Sequence, residues 1–299
     1  MSAPLPLDAS WRAAHPLPVH EKGTDKNSRG RVLLAGGAEF VPGALRLTGE
    51  AALRVGAGKL QMATVRAAAM SLGVLVPEAA MIALPADQDG EIAPHAAGLL
   101  VEAMERCDTL ILGPGMSLRD GTVDLVRHMI ATPRPGLSIV LDAAAVSCAG
   151  DLAEAVARHE GRIVMTPHHG EMAALTGLDA EKIAADPIAV AEDAATRFRA
   201  VIVLKAGSTV IAAPGAPSLL YASDCTGLAT GGSGDVLAGV IGGLIAQGAA
   251  PQVAAGWGVW VHGTAGQAAA RDIGPIGFLA RDLMAYLPRL LAGRDGLAR

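Results

Sequence analysis

The sequence predicts an α/β fold: a three-layer α/β/α sandwich with a mainly parallel central sheet. The first observation is a series of short apolar runs without polar alternation, which is typical of strands covered on both faces. The second is that these runs alternate with helical patterns, and such alternation implies a parallel sheet between layers of helices. The third is a hydrophobic content of 51% in 299 residues, which is ample for one large core.

The chain is predicted to form one domain behind a short N-terminal segment. No linker, internal repeat or low-complexity block divides the sequence. We therefore predict a single α/β domain over residues 21–299, although a prior of about 150 residues per domain would suggest two. Residues 1–20 are Pro-rich and aperiodic, and they predict a tail or a strap over the surface.

The predicted elements begin with the continuous apolar run RVLLAG at 31–36, a buried strand, and with a helix at 43–58 that ends in glycine. Further short apolar runs predict strands at 59–65, 79–86, 108–113, 137–145, 162–167, 200–207 and 208–215. Helical patterns fill most of the gaps, at 95–105, 118–132, 150–159, 169–176 and 187–198. From Gly232 onward the chain is predicted to be mostly helical.

The charge composition excludes nucleic acid as a partner. A formal net charge of −5 provides no basic surface for a phosphate backbone. Aromatic residues make up only 3% of the chain, which removes the stacking platforms that single strands require. Charged residues make up 18%, below the ~25% of typical soluble domains, and this indicates surface buried between the subunits of a homo-oligomer.

Cysteine usage and hydropathy favour a cytoplasmic protein. Cys107, Cys148 and Cys225 lie far apart, as expected of reduced thiols and unlike a disulfide framework or a zinc site. The N-terminal residues lack a basic region followed by an apolar block, so no secretory signal is expected. Residues 236–270 carry no charge, but glycines and Pro251 divide them into pieces shorter than the ~20 residues of a spanning helix. We therefore expect buried helices and no membrane association.

Glycine or polar residues stand at the predicted carboxyl ends of several strands, in the segments AGGAEFVPGA, LGPGM, VLDAAA, MTPHHGE and LKAGS. In open α/β sheets, ligands bind outside the carboxyl ends of the strands. Any one of these turns is ordinary strand-to-helix turn chemistry. Together they predict one crevice in which a ligand binds.

The segment TGGSGD at 230–235 is the strongest candidate for binding phosphate. Gly231, Gly232 and Gly234 allow backbone N–H groups to approach an anion closely, and the following helix adds the positive end of its dipole. The segment is not a Walker A loop, which requires G-x-x-x-x-G-K-[ST], and no G-x-G-x-x-G opens the first helix. We predict an anion cradle at 230–235.

Asp235, the acid that ends this segment, has two interpretations. As an acid in the first helical turn, it stabilises the helix as a cap. As a carboxylate beside bound phosphate, it takes a proton from a substrate hydroxyl while that oxygen attacks. A simple cap does not require the glycines, and this favours catalysis.

Other candidate residues have ordinary structural interpretations from the sequence alone. His168 and Glu171 follow the strand at 162–167 and fit the start of a helix. Lys205 ends a strand, where a surface lysine is the ordinary interpretation, although the small residues after it suit a nucleotide-binding turn.

The segments that carry a family resemblance are VLLAGGAEFVPGA, LGPGM, MTPHHGE, VIVLKAGSTVIAAP, GLATGGSGDVLAGVIGGLIAQG, VWVHGTAG and GFLARDLMAYLPRLL. In this order, from Lys22 to Leu291, they resemble the ADP/ATP-dependent NAD(P)H-hydrate dehydratases. The resemblance implies a ribokinase-like fold and a stand-alone dehydratase without the epimerase domain that some members carry. It also implies Mg²⁺ with the nucleotide phosphates and a homotetramer.

The resemblance further implies roles for individual residues. Asp235 is the implied catalytic residue, at the reacting centre. The residues implied to contact the hydrated nicotinamide nucleotide are Ala44, Gly115, His168 and Asp235. Those implied to line the adenine nucleotide site are Lys205, Ala206, Gly207, Ser208, Thr209 and Gly234, with Thr230, Gly231 and Gly232 of the predicted cradle. The metal ligands stay unassigned, because Ala144 stands where relatives often carry an acid.

The expected function is therefore the ADP- or ATP-dependent dehydration of the S-form hydrate of NADH or NADPH, a nucleotide repair reaction. Stand-alone prokaryotic relatives resemble ADP users, so ADP is the expected co-substrate. A ribokinase-class small-molecule kinase would use the same glycine-rich turn and acid, and it stays an alternative. A non-catalytic nucleotide sensor would retain nucleotide binding without turnover.

Overall fold

The computed structural model describes residues 3–21 and 23–292, so Lys22 and the outer ends of the predicted ranges lie outside the described residues. The strands are β1 (Leu5–Pro6), β2 (Arg31–Ala35), β3 (Lys59–Val65), β4 (Ala79–Leu84), β5 (Thr109–Leu112), β6 (Ser138–Leu141), β7 (Ile163–Met165), β8 (Val201–Leu204), β9 (Ser208–Ala212) and β10 (Leu219–Ala222). The α-helices are α1 (Ala9–Ala14), α2 (Gly43–Arg54), α3 (Arg66–Leu75), α4 (Ala97–Met104), α5 (Asp120–Ile130), α6 (Ala144–Cys148), α7 (Ala153–Ala157), α8 (His169–Thr176), α9 (Ala180–Ala185), α10 (Pro187–Phe198), α11 (Ser233–Ala246), α12 (Pro251–Asp272) and α13 (Leu287–Ala292).

One sheet contains all of these strands, in the order β1-β10-β9-β8-β7-β6-β5-β2-β3-β4. The seven strands from β8 to β4 in this order are parallel to one another, whereas β9 runs antiparallel to both β8 and β10. The central strands are buried on both faces, which explains why their sequences are continuously apolar. The predicted α/β fold with a mainly parallel sheet is confirmed.

The predicted strand at 137–145 is shorter in the structure, and its early end matters for the site. β6 stops at Leu141, and α6 begins at Ala144 after Ala143 adopts a φ of 51°. The turn leaves Asp142 at the carboxyl edge of the sheet. The mostly helical character predicted for the C-terminal third is confirmed by α11 and α12.

The sequence patterns did not predict α1, α3, α6, α9, β1 or β10, whose formation depends on contacts with other parts of the chain. In β10, Leu219 and Tyr221 are buried while their neighbours are more exposed, so the strand alternates instead of forming an apolar run. It pairs antiparallel with β9, which directly precedes it in the chain. β10 therefore extends the sheet beyond the parallel region.

The N-terminal segment forms a strap that is attached to both the sheet and α12. β1 adds to the sheet edge by pairing in parallel with β10. The buried ring of Trp11 lies against Gly256 of α12, and the indole Nε1–H of Trp257 donates to the carbonyl oxygen of His15 at 2.7 Å. The Arg12 guanidinium lies 3.7 Å from the ring centroid of Trp260.

Helix α11 is held by a close approach to α2. A Cβ atom added at Gly239 would lie 2.1 Å from the backbone oxygen of Thr48, so only glycine allows this separation. The packing fixes the N-terminus of α11 at the carboxyl edge of the sheet. Across residues 3–21 and 23–292, none of the helices has the length and hydropathy that crossing a bilayer requires.

Candidate active site

A cavity of about 760 Å³ lies at the carboxyl edge of the sheet. The turns after β6, β7 and β8 open into it, opposite the N-terminus of α11. Its lining includes Asp142, Ala143, His168, Glu171, Lys205, Ala206, Gly207, Thr209, Tyr221, Thr230, Gly232, Ser233, Gly234, Asp235 and His262. The structure thus brings turns that are distant in sequence into one crevice, as ligand sites in open α/β sheets require.

The candidate residues from the sequence divide into those that line this cavity and those that do not. The ones that line it are His168, Lys205, Ala206, Gly207, Thr209, Thr230, Gly232, Gly234 and Asp235. Ser208 and Gly231 are exposed neighbours outside the lining. Ala44 and Gly115 also lie outside it but next to each other, since a Cβ atom at Gly115 would be 3.1 Å from that of Ala44.

The glycines of the TGGSGD segment have specific spatial roles. Gly232 adopts a φ of +90°, and an added Cβ atom would lie 2.4 Å from Cδ1 of Leu47. A Cβ atom at Gly234 would lie 3.2 Å from Nζ of Lys205. Within the described residues, the N–H groups of Gly234 and Asp235 meet no acceptor. The first turn of α11 therefore presents free donors and a positive dipole end to the cavity.

Lys205 is surrounded by carboxylates. Its Nζ lies 3.2 Å from Oδ1 of Asp142 and 3.8 Å from Oε2 of Glu171. Burial alone would lower the pKa of Lys205, but the negative charges of Asp142 and Glu171 outweigh burial and raise it. Thr166 donates a second hydrogen bond to Asp142 Oδ1. The lysine is therefore a fixed positive charge in the lining of the cavity.

Asp235 is the carboxylate with the most perturbed ionisation in this cavity. Burial, the charge of Asp142 and, to a smaller extent, the charge of Glu171 raise the pKa of Asp235, the charge of Lys205 lowers it, and the net result is a pKa of about 7. A carboxyl group with a pKa near neutrality is matched to proton transfer at physiological pH.

His168 is the N-cap residue of α8, and it connects the turn after β7 to the turn after β8. Its Nδ1 accepts hydrogen bonds from the N–H groups of Gly170 and Glu171 at 2.9 and 3.2 Å. The Glu171 carboxylate accepts the N–H of His168 at 2.8 Å, which completes a capping box. The backbone of His168 also bridges to Lys205 in the parallel sense. The helix-start interpretation is therefore correct, and the same ring still borders the cavity.

Several residues that line the cavity received no functional role from the sequence. They include Tyr221, His262 and the side chain of Ser233, together with the acids Asp142, Glu171 and Asp224. His262 lies in VWVHGTAG, one of the segments that carry the family resemblance, but the resemblance implied no role for it. Its position on α12 brings it beside α11, a contact that no local pattern reveals.

Solved structures that resemble this chain define the class of protein to which its fold belongs. The fold, with its mainly parallel sheet, is that of ribokinase-like proteins: a ribokinase-like superfamily protein from Enterococcus faecalis matches 93% of this chain with a TM-score of 0.79. The solved Bacillus subtilis ADP/ATP-dependent NAD(P)H-hydrate dehydratase, co-crystallised with ATP and Mg²⁺, matches 97% of this chain and 99% of its own, with a TM-score of 0.81 and 25% identity.

Within that class, residues 32–289 match the family model of NAD(P)H-hydrate dehydratase. An ADP-dependent (S)-NAD(P)H-hydrate dehydratase from Xanthomonas campestris is 43% identical over 95% of each chain. A bifunctional NAD(P)H-hydrate repair enzyme from Moorella thermoacetica is 38% identical over 95% of this chain, which spans 53% of that relative's length. The protein belongs to the NAD(P)H-hydrate dehydratase family, and the predicted resemblance is confirmed.

Proposed function

We propose that the protein uses ADP, or ATP, to dehydrate the S-form hydrate of NADH or NADPH and so restores the reduced nucleotide. The observation that carries this proposal is the position of Asp235, which lines the cavity on the same helical turn as the free N–H donors of α11. Membership of the dehydratase family supplies the reaction class. The site supplies a base, an anion cradle and a fixed cation.

The reaction solves a leaving-group problem. Hydroxide leaves the hydrated ring poorly, whereas phosphate leaves readily. Asp235 removes the proton of the ring hydroxyl as its oxygen attacks the terminal phosphoryl group of the nucleotide, releasing AMP from ADP. The lone pair of the ring nitrogen then expels phosphate, and loss of a proton from the adjacent ring carbon restores the dihydropyridine.

The α11 cradle and Lys205 are proposed to stabilise the phosphoryl group in transfer. Free N–H groups and a buried cation act strongly on developing negative charge in a site that excludes water. The residues proposed to surround the adenine nucleotide are Lys205, Ala206, Gly207, Ser208, Thr209, Thr230, Gly231, Gly232 and Gly234. All of these residues except Ser208 and Gly231 line the cavity, and this supports their assignment to the nucleotide site.

Magnesium fits the donor chemistry of the site. Among residues 3–21 and 23–292, no group of three or more His, Cys, Asp or Glu side chains could hold a metal ion. Mg²⁺ usually takes one or two carboxylates and completes its shell with phosphates and water. Asp142 and Glu171 are the carboxylates that would hold it beside a nucleotide, where it would neutralise phosphate charge.

The hydrated nicotinamide is proposed to contact Ala44, Gly115 and His168. The contact between Ala44 and Gly115 and the position of His168 at the cavity border support a substrate site that extends beyond the nucleotide cavity. Asp235 would then act where the two ligands meet.

We further propose a cytoplasmic homotetramer with one domain over residues 21–299. Exposed apolar side chains on α3, including Met70 and Val74 at 81% and 78% exposure, support a subunit contact. Size-exclusion chromatography with light scattering measures the assembly, and a monomer would contradict it.

The reaction is tested by mixing the protein with hydrated NADH and ADP and following the absorbance of reduced nicotinamide. The proposal predicts that the absorbance returns and that one orthophosphate is released for each nicotinamide restored. A kinase acting on another hydroxyl compound would leave the absorbance flat. A nucleotide sensor would bind ADP without releasing phosphate, and either outcome would contradict the proposal.

A further inference from the structure

The hydroxyl of Ser233, the first residue of α11, is held by a histidine that the proposed reaction does not use. His262 lies on α12, and its Nε2 is 3.0 Å from both the carbonyl oxygen and the Oγ of Ser233. A carbonyl oxygen can only accept a hydrogen bond, so His262 Nε2 carries the proton and donates it to this pair of oxygens. The tautomer of the ring follows from this contact.

His262 keeps this arrangement at physiological pH. Burial is the main cause that lowers the pKa of His262; the hydrogen bond to the Ser233 backbone opposes it, the positive charge of Lys205 adds to it, and the net pKa is about 4. The ring is therefore neutral and carries its single proton on Nε2.

The bond from His262 determines what the serine hydroxyl can do. Because Ser233 Oγ accepts a hydrogen bond from His262 Nε2–H, its own hydroxyl hydrogen is free to be donated, and this hydrogen meets no acceptor within the described residues. Ser233 is only 6% exposed and lines the cavity. A buried donor without an acceptor is unfavourable. A ligand in the cavity is the natural acceptor.

The neighbours of Ser233 indicate the chemistry of that ligand. The N–H groups of Gly234 and Asp235, on the same helical turn, also lack acceptors in the part of the chain that the structure describes. A cation, Lys205, is close by, since its Nζ would lie 3.2 Å from a Cβ atom added at Gly234. Several donors and a cation in one place suit a phosphoryl group.

We propose that Ser233 binds the terminal phosphoryl group of the nucleotide through its hydroxyl, and that His262 is the positioning residue that orients this hydroxyl. The inference rests on the proposed function, which supplies an adenine nucleotide with its terminal phosphoryl group beside Asp235. It adds a side-chain donor to a cradle otherwise made of backbone groups.

Calorimetric titration of Ser233→Ala with AMP, ADP and ATP tests the ligand assignment without relying on turnover. A hydrogen bond to a charged group predicts that ADP and ATP affinities fall about 10- to 100-fold. AMP lacks the terminal phosphoryl group of ADP, so its affinity should change less than about threefold. Similar losses for all three nucleotides, or no loss for ADP, would overturn the proposal.

The role of His262 is tested with a conservative and a disruptive variant. His262→Gln retains an N–H donor and should keep more ADP affinity than His262→Leu, which has none. Because His262 acts through the serine, Ser233→Ala/His262→Leu should bind ADP no more weakly than Ser233→Ala alone. Additive losses in the double variant would overturn the positioning role.

The outcomes separate this inference from the proposed function. If the wild-type protein binds ADP but does not restore reduced nicotinamide, the proposed reaction fails, while a selective loss in Ser233→Ala still supports the phosphate contact. If restoration occurs and Ser233→Ala binds ADP normally, only the serine assignment fails. Failure of the wild-type protein to bind any adenine nucleotide would overturn both. Thermal denaturation of each variant verifies that it is folded.

Discussion

Asp235 has an environment that favours its protonated form, and this has a consequence for stability. Burial raises its pKa from 3.8 to about 7 in the folded protein, with the charge of Asp142 adding to the effect. The unfolded chain releases this proton near pH 4, whereas the folded chain retains it until about pH 7. Ionisation of Asp235 therefore destabilises the folded state progressively between about pH 4 and pH 7.

We predict that Asp235→Asn raises the melting temperature and that the gain grows across this pH window. The gain should reach about 3–6 °C at pH 8 and be small at pH 4. Asp120→Asn removes the same charge from an exposed helix start and serves as the control. Thermal denaturation measures both variants against the wild-type protein. If the difference in melting temperature between Asp235→Asn and the wild-type protein did not change with pH, the ionisation of Asp235 would not be its cause.

His168 combines a structural role with a proposed contact to the substrate, and two variants separate them. His168→Ala removes the acceptor that caps α8, whereas asparagine retains an oxygen suited to the N-cap position. We predict that His168→Asn keeps the wild-type melting temperature but raises the KM for hydrated NADH about tenfold or more. Its ADP affinity should change little. Equal losses for the two ligands would indicate structural support alone.

Single residues also show where sequence reasoning reached its limit. The glycines and Asp235 could be recognised because their spacing is local and their chemistry is unusual for a simple cap. Ser233 and His262 could not, because their contact joins α11 to α12 and depends on the packing of those helices. Lys205 was identified only as a candidate, since its carboxylate partners come from separate turns.

At the scale of elements, the contact between α2 and α11 positions the phosphate cradle. We predict that Gly239→Ala destabilises the protein by about 1–3 kcal/mol, because the new methyl group would overlap the backbone oxygen of Thr48. Gly98→Ala in α4 adds the same group where nothing lies within 4 Å, and it should be neutral or stabilising. Chemical denaturation compares the two variants. Equal effects would show that helix separation does not depend on Gly239.

The element patterns predicted the parallel strands well because burial on both faces makes their sequences continuously apolar. They failed for β10, which is short and half-exposed at the antiparallel end of the sheet. They also extended the strand at 137–145 too far, since Ala143 and Ala144 are apolar whether they continue a strand or begin a helix. Hydrophobicity alone does not distinguish these outcomes.

At the scale of the whole molecule, the sheet order and the N-terminal strap depend on contacts between distant parts of the chain. The alternation of strands and helices predicted the fold class, and the resemblance of the sequence motifs predicted the family. The attachment of Trp11 and Arg12 to α12 had no local signal, because their partners are Gly256 and Trp260. The strap also pairs with β10, whose Tyr221 lines the cavity.

The most direct test of the central claim compares turnover and ADP affinity in Asp235→Asn. If Asp235 removes the hydroxyl proton while the cradle holds the nucleotide, kcat should fall about 10²–10⁴-fold. The dissociation constant for ADP, measured by calorimetry on the same preparation, should stay within a factor of about three. Near-normal turnover, or a loss of activity explained entirely by lost ADP binding, would contradict the proposed mechanism.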